Sequence, residues 1–146
     1  MITVREMLAA KRNNLTQRVS PTTTVRDAAQ IMNEAGTGSV LVEVGGKVVG
    51  IFTERDLMRR VVAADKLPGA TTVGDVMTTA LVTARPDATL ADCGQLMSER
   101  RIRHLPVFDG EEVIGIVTTG DLLAHELAEK SAKIQHLEDF VFYTRS

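Results

Sequence analysis

The chain has no tryptophan, one tyrosine and four phenylalanines in 146 residues. With aromatics at 3%, its interior is built from valine, leucine, isoleucine, alanine and six methionines. A single cysteine, Cys93, excludes an internal disulfide and fits a reducing compartment. No apolar run reaches membrane-spanning length, and the first eight residues carry Arg5 and Glu6, unlike a secretory leader. Neither sign of charge dominates: the net charge is -2 and the isoelectric point about 5.9. That balance gives no electrostatic case for nucleic acid or for an anionic membrane. A Walker loop, a Ser/His/Asp order and paired acids at catalytic spacing are also missing. His104, His125 and His136 are scattered and have no neighbouring cysteine, which argues against a metal site. A soluble, cytoplasmic, non-catalytic protein is the expectation. The length and the 44% hydrophobic content suit one globular domain, or two half-size units sharing a core.

What the chain does have is an internal repeat. Shifted by 65, Val19–Val62 lies on Ala84–Leu127 without a gap, and 14 of those 44 positions are identical. Upstream, Val4–Leu8 matches Val73–Met77 at a shift of 69, so the first copy carries four extra residues near Lys11–Asn14. Residues 1–66 form the first copy, 67–127 the second, and 128–146 a C-terminal amphipathic helix. Pro68-Gly69 marks the linker. Each copy reads in the same order. A short helix comes first, then an extended stretch to Pro21 or Pro86. An amphipathic helix follows, with Val25, Ala28, Ala29 and Met32 on one face, or Leu90, Cys93 and Met97. Two strands come next, Ser39–Val44 with Val48–Thr53, or His104–Phe108 with Val113–Thr118, each pair turning at glycine. A helix from about Glu54 or Thr119 closes the unit. One such unit leaves a sheet face bare, whereas two can cover each other.

A small pattern, Thr-x-x-acid, occurs six times, at Thr3/Glu6, Thr24/Asp27, Thr53/Asp56, Thr72/Asp75, Thr89/Asp92 and Thr118/Asp121. Each precedes an expected helix, so capping explains all six. The pairs at 53/56 and 118/121 differ in context, because each ends a strand and opens a helix. Such a junction aims backbone N–H groups at one point and attracts anions. A threonine hydroxyl there can bond a phosphate, and an ionised aspartate can accept from both hydroxyls of a ribose. Capping and ligand binding both account for these two pairs.

At these residues the sequence resembles the CBS domain family, and specifically the tandem pair called a Bateman module. The resemblance rests on Gly-Ile-Phe-Thr-Glu-Arg-Asp-Leu (50–57), Gly-Ile-Val-Thr-Thr-Gly-Asp-Leu (115–122), Arg-His-Leu-Pro-Val (103–107) and Val-x-Pro at 19–21. It implies an α+β fold of two β-α-β-β-α repeats packed sheet to sheet about a pseudo-twofold axis, plus a C-terminal helix. It also implies a non-catalytic energy or metabolite sensor. The clefts between the repeats would bind an adenosine-containing ligand, AMP first, with ADP, ATP, NAD or S-adenosylmethionine as the others. By position, Thr53 and Thr118 would meet phosphate or ribose, and Asp56 and Asp121 would hold the ribose hydroxyls. Arg55 could reach phosphate. The segment before each first strand would line the opposite wall, with Arg103, His104 and Pro106 in one copy and Ser39 in the other. Val19 and Thr83 mark the opening of each repeat. Arg18, aligned with Thr83, would either block an adenine wall or add a phosphate contact. The family also implies a homodimer and an effector protein that reads the bound state.

The copies diverge where a phosphate would lie. Arg101, Arg103 and His104 align with Gly36, Gly38 and Ser39. The Asp56 cleft is therefore expected to carry cations and the Asp121 cleft to be charge-poor. Arg59 and Arg60 fit a solvated basic helix face at least as well as a phosphate site. Beyond the repeat, Leu127, Ile134 and Val141 are spaced by seven, and Phe140, Phe142 and Tyr143 cluster near the end. That pattern is a narrow helical seam, packed on its own module or on a second copy. The competing reading of the whole chain is a structural or dimerisation module whose six threonines only cap helices.

Overall fold

In the computed structural model, residues 1–11, 14 and 16–141 are described, those from 131 onward as backbone alone. The order of elements repeats as the sequence does. Helix α1 (Val4–Ala10) leads to strand β1 (Arg18–Val19), helix α2 (Val25–Ala35), strands β2 (Ser39–Val44) and β3 (Lys47–Thr53), and helix α3 (Glu54–Asp56). Helix α3 continues without a break as a π-helical stretch, Leu57–Val62. A 3-10 turn at Pro68–Ala70 then joins α4 (Val73–Val76), α5 (Leu90–Arg100), β4 (His104–Asp109), β5 (Glu112–Thr118) and the long α6 (Thr119–Val141). The fold is mixed α and β, with two small sheets.

The hairpins are built alike. Strands β2 and β3 pair antiparallel, as do β4 and β5, and both ladders slip at the aligned positions Val42/Glu43 and Val107/Phe108. The first turn sets Gly45 and Gly46 at φ 58 and 82, the left-handed region that a tight two-residue hairpin needs at both central positions. Strand β1 adds a parallel edge to the first sheet, while in the second a single bridge, Ala84 to Val107, takes its place. Adjacent strand residues face opposite ways. Ile51 meets Leu41, Val113 and Phe108 between the two sheets, and Phe52 lies in a core with Val25 and Met32 of α2 and Val73 and Val76 of α4.

The short helices are exchanged between the halves. Val4, Met7 and Leu8 of α1 lie in one core with Leu90, Cys93, Met97, Leu105 and Val117 of the second copy. Val73 and Val76 of α4 lie in the other core with Val25, Met32, Val40 and Phe52 of the first. Backbone bonds fix both crossings: Val4 N–H to the Ala88 carbonyl and Leu90 N–H to that of Ile2, then Val73 N–H to Thr23 and Val25 N–H to Thr71. The packed cores therefore divide the chain differently from the sequence repeat.

Five of the six threonines cap as expected, each accepting from the N–H three residues on. Thr72 is the exception and makes no side-chain cap bond. The Asp75 N–H is met by the Thr72 carbonyl instead, which leaves the hydroxyl without that role. The side chains of Ile134, Leu137, Phe140 and Val141, and all of Phe142 and Tyr143, lie outside the described residues.

Candidate functional site: two unequal clefts

The first cleft opens at the end of β3. The chain beyond α4 crosses that strand at Gly50, pairing Ile51 with Thr78 through two backbone bonds of 2.9 and 2.8 Å. A Cβ on Gly50 would lie 2.7 Å from Met77 Sδ and 2.9 Å from the Thr78 carbonyl oxygen. Only glycine admits the crossing, and the crossing carries Thr78 to Asp56. Asp56 Oδ2 accepts from the Thr53 N–H and hydroxyl, at 3.0 and 3.2 Å, and Oδ1 accepts from the Thr78 hydroxyl at 3.0 Å. The Asp56 N–H returns a bond to Thr53 Oγ1, completing a capping box. This network fixes a nearly buried carboxylate at the cleft floor.

The cleft encloses about 560 Å³. Its walls include an apolar slot formed by Ile51, Leu81, Val82, Ile102 and Pro106. Arg55, Arg59 and Arg103 also line it. Arg55 donates to the Arg101 carbonyl. Arg60 sits behind the floor, with Nε 3.7 Å from Asp56 Oδ1 and a 3.0 Å bond to the Met77 carbonyl. Arg59 and Arg60 are both exposed, as a solvated basic face expects, and Arg59 also lines the cleft.

The second cleft, about 360 Å³, is its pseudo-symmetric counterpart and holds Ser39, Thr118 and Asp121. The expectation that it is charge-poor is corrected, because Lys11, just beyond α1, reaches into it. Lys11 Nζ lies 2.9 Å from Asp121 Oδ2 and 3.1 Å from the Ile116 carbonyl oxygen. Asp121 Oδ2 also accepts the Thr118 N–H at 2.9 Å. The comparison of aligned residues missed this cation because Lys11 belongs to the segment that the second copy lacks.

His104 lines both clefts. Burial pushes its imidazole below the usual histidine range, Glu54 and Asp121 oppose that shift, and Arg103 and Lys11 reinforce it. Its Nε2 would lie 2.9 Å from a Cβ on Gly38, so the absence of a side chain there makes room for the ring.

The CBS-domain family pattern matches residues 17–63 and again 73–128. The chain belongs to the CBS domain family. The CBS domain-containing protein YhcV of Bacillus subtilis is 38% identical over 114 residues, which is 78% of this chain and 81% of that one. A solved CBS-domain protein of Burkholderia ambifaria, described as a signal-transduction protein, has a TM-score of 0.84 at 37% identity and covers 88% of this chain and 96% of its own. The hexameric CBS-CP12 protein of bloom-forming cyanobacteria has a TM-score of 0.77 at 26% identity, over 89% and 75% of the two chains.

Within this CBS pair, the structure gathers Thr53, Arg55, Asp56, Arg103, His104 and Pro106 around the first cleft and Ser39, Thr118 and Asp121 around the second. Three residues singled out from the sequence line neither. Val19 is buried in the core of the first half, and Thr83 is exposed. Arg18 turns aside to Glu43 at 3.3 Å and to the Val113 carbonyl at 3.1 Å, so it neither blocks the described clefts nor supplies them a cation. Sequence reasoning passed over Leu81, Val82 and Ile102. Their signal was the aligned residues Thr16, Gln17 and Thr37, a switch from apolar to polar at three wall positions.

Proposed function

We propose that this chain is a regulatory sensor that binds an adenine nucleotide, AMP foremost, in the cleft built on Asp56. CBS domain pairs are a regulatory module family that typically binds adenosine ligands. The observation that carries the reading is the composition of the first cleft. An apolar slot for a purine, a fixed carboxylate for two ribose hydroxyls, and Arg55, Arg59 and Arg103 for phosphate share one space. ATP, ADP, NAD and S-adenosylmethionine are the competitors. Thr53 and Asp56 hold the ribose end, His104 and Arg103 face the phosphate, and Pro106 closes the adenine slot. Thermal shift with each ligand tests it, since a molecule that binds only the folded state raises the melting temperature. AMP should give the largest rise, and no rise with any of the five would sink the reading.

Dimerisation is supported by a separate observation. Met58 and Val62 are each more than half exposed, and so are their aligned partners Leu123 and Leu127. Large apolar side chains at matching positions in both copies offer a second molecule a self-complementary face. A homodimer on that face, in the cytoplasm and read by an effector protein, completes the proposal. Sedimentation of wild type and Met58→Asp/Leu123→Asp tests it: the variant should be monomeric, and an unchanged mass would refute this face.

A further inference from the structure

Resting on the nucleotide reading above, the structure also assigns a role to the second cleft. We infer that Lys11 is a tethered cation that keeps the ribose end of that cleft occupied, so each chain takes one nucleotide, in the Asp56 cleft alone.

The two carboxylates are met differently. Asp56 Oδ1 accepts its direct hydrogen bond from the neutral hydroxyl of Thr78, a partner that can turn away and bond elsewhere, while Arg60 Nε stands off at 3.7 Å. Asp121 Oδ2 is held by an ammonium at 2.9 Å, with both side chains mostly removed from solvent, at 24% and 16% exposure. Separating that pair strands two charges in a site of low polarisability, which is costly. A sugar hydroxyl cannot replace a full positive charge. Lys11 is also anchored at its far side by the Ile116 carbonyl. In the aligned half the crossing segment Val76–Ala84 contains no charged residue, and the cation near Asp56 is Arg60, more distant at 3.7 Å and half exposed.

The walls add to this by weakening, without forbidding, a nucleotide in the second cleft. Where the first cleft presents Leu81, Val82 and Ile102, the second presents Thr16, Gln17 and Thr37. Where the first has Arg103, the second has Gly38. Ser39 Oγ, in a residue 2% exposed, and Asn14 Oδ1 have no hydrogen-bond partner among the described residues. Both residues add polar groups to the lining of this cleft. Among the described residues, the second cleft thus shows neither an apolar slot nor an arginine, and its carboxylate is already taken.

Calorimetric titration with AMP tests this, using wild type, Lys11→Ala and Lys11→Ala/Asp121→Ala. Lys11→Met, which keeps the aliphatic stem, stands in for alanine if the latter unfolds. Wild type should bind one AMP per chain. Lys11→Ala should bind two, the second at least tenfold weaker for want of an apolar wall, and the double variant should return to one. Two equivalents on wild type, or one on Lys11→Ala, would overturn the tether and leave the Asp56 reading standing. None on wild type and one on Lys11→Ala, lost in the double variant, would keep the tether and remove the Asp56 reading. No binding to any of the three would remove both.

Discussion

The two clefts come from one ancestral pattern, Gly-h-h-Thr-x-x-Asp, and share its backbone geometry. They differ in what crosses in front of the aspartate. In the first, a strand-like segment passes over Gly50 and offers a threonine hydroxyl. In the second, a longer connection from α1 offers a lysine. The threonine-aspartate motif therefore does not by itself make the two clefts alike: the segment that crosses it meets the carboxylate with a hydroxyl in one and an ammonium in the other.

The largest expected effect breaks the clefts apart in binding. Asp56→Ala should weaken AMP about a hundredfold, because it removes a charged acceptor for two hydroxyls. Asp121→Ala should change AMP affinity less than twofold. Equal losses in calorimetry would make the clefts equivalent. Next comes the crossing itself. Gly50→Ala drives a Cβ into a backbone carbonyl, whereas on Gly115 it meets the ends of Asn14 and Leu8, which can turn. Overpacking of this kind costs about 1–3 kcal/mol, so Gly50→Ala should lie near the top of that range and Gly115→Ala near the bottom, read by urea denaturation. Reversal of that order would refute the rigid crossing.

A smaller contrast separates two caps. Thr89→Ala should cost about 1 kcal/mol, and Thr72→Ala a few tenths, because only Thr89 accepts a helix N–H. Comparable losses would mean that the Thr72 hydroxyl has a role its geometry does not suggest. The smallest effect concerns His104, shared by both clefts. Its folded pKa is lowered chiefly by burial, so the unfolded chain binds more protons just below the ordinary histidine value. Stability from this group is complete above about pH 6.5 and is lost as pH falls through the folded pKa. The melting temperature should climb more steeply from pH 5 to 7 in wild type than in His104→Gln. Parallel profiles would leave His104 without a buried, neutral role.

Much of this was legible in the sequence, because the repeat doubled every signal. The strand bounds Ser39–Val44 and the helix faces of Val25, Ala28 and Met32 were readable from local periodicity. The exchange of α1 and α4 was not, since an apolar face reads the same whichever core receives it. Lys11 was hidden for a related reason. Its partner lies 110 residues away, and no local rule pairs them. The apolar slot was written in Leu81/Thr16, Val82/Gln17 and Ile102/Thr37, but became readable once the wall was known.

The exchanged helices also limit what a ligand can do here. Each half is fastened by a piece of the other, so the halves cannot swing open like a jaw without pulling a helix out of a core. Under the proposed sensor role, a message from the nucleotide would travel as a slight turn between interlocked parts, its size set by how far α1 and α4 can tilt in place.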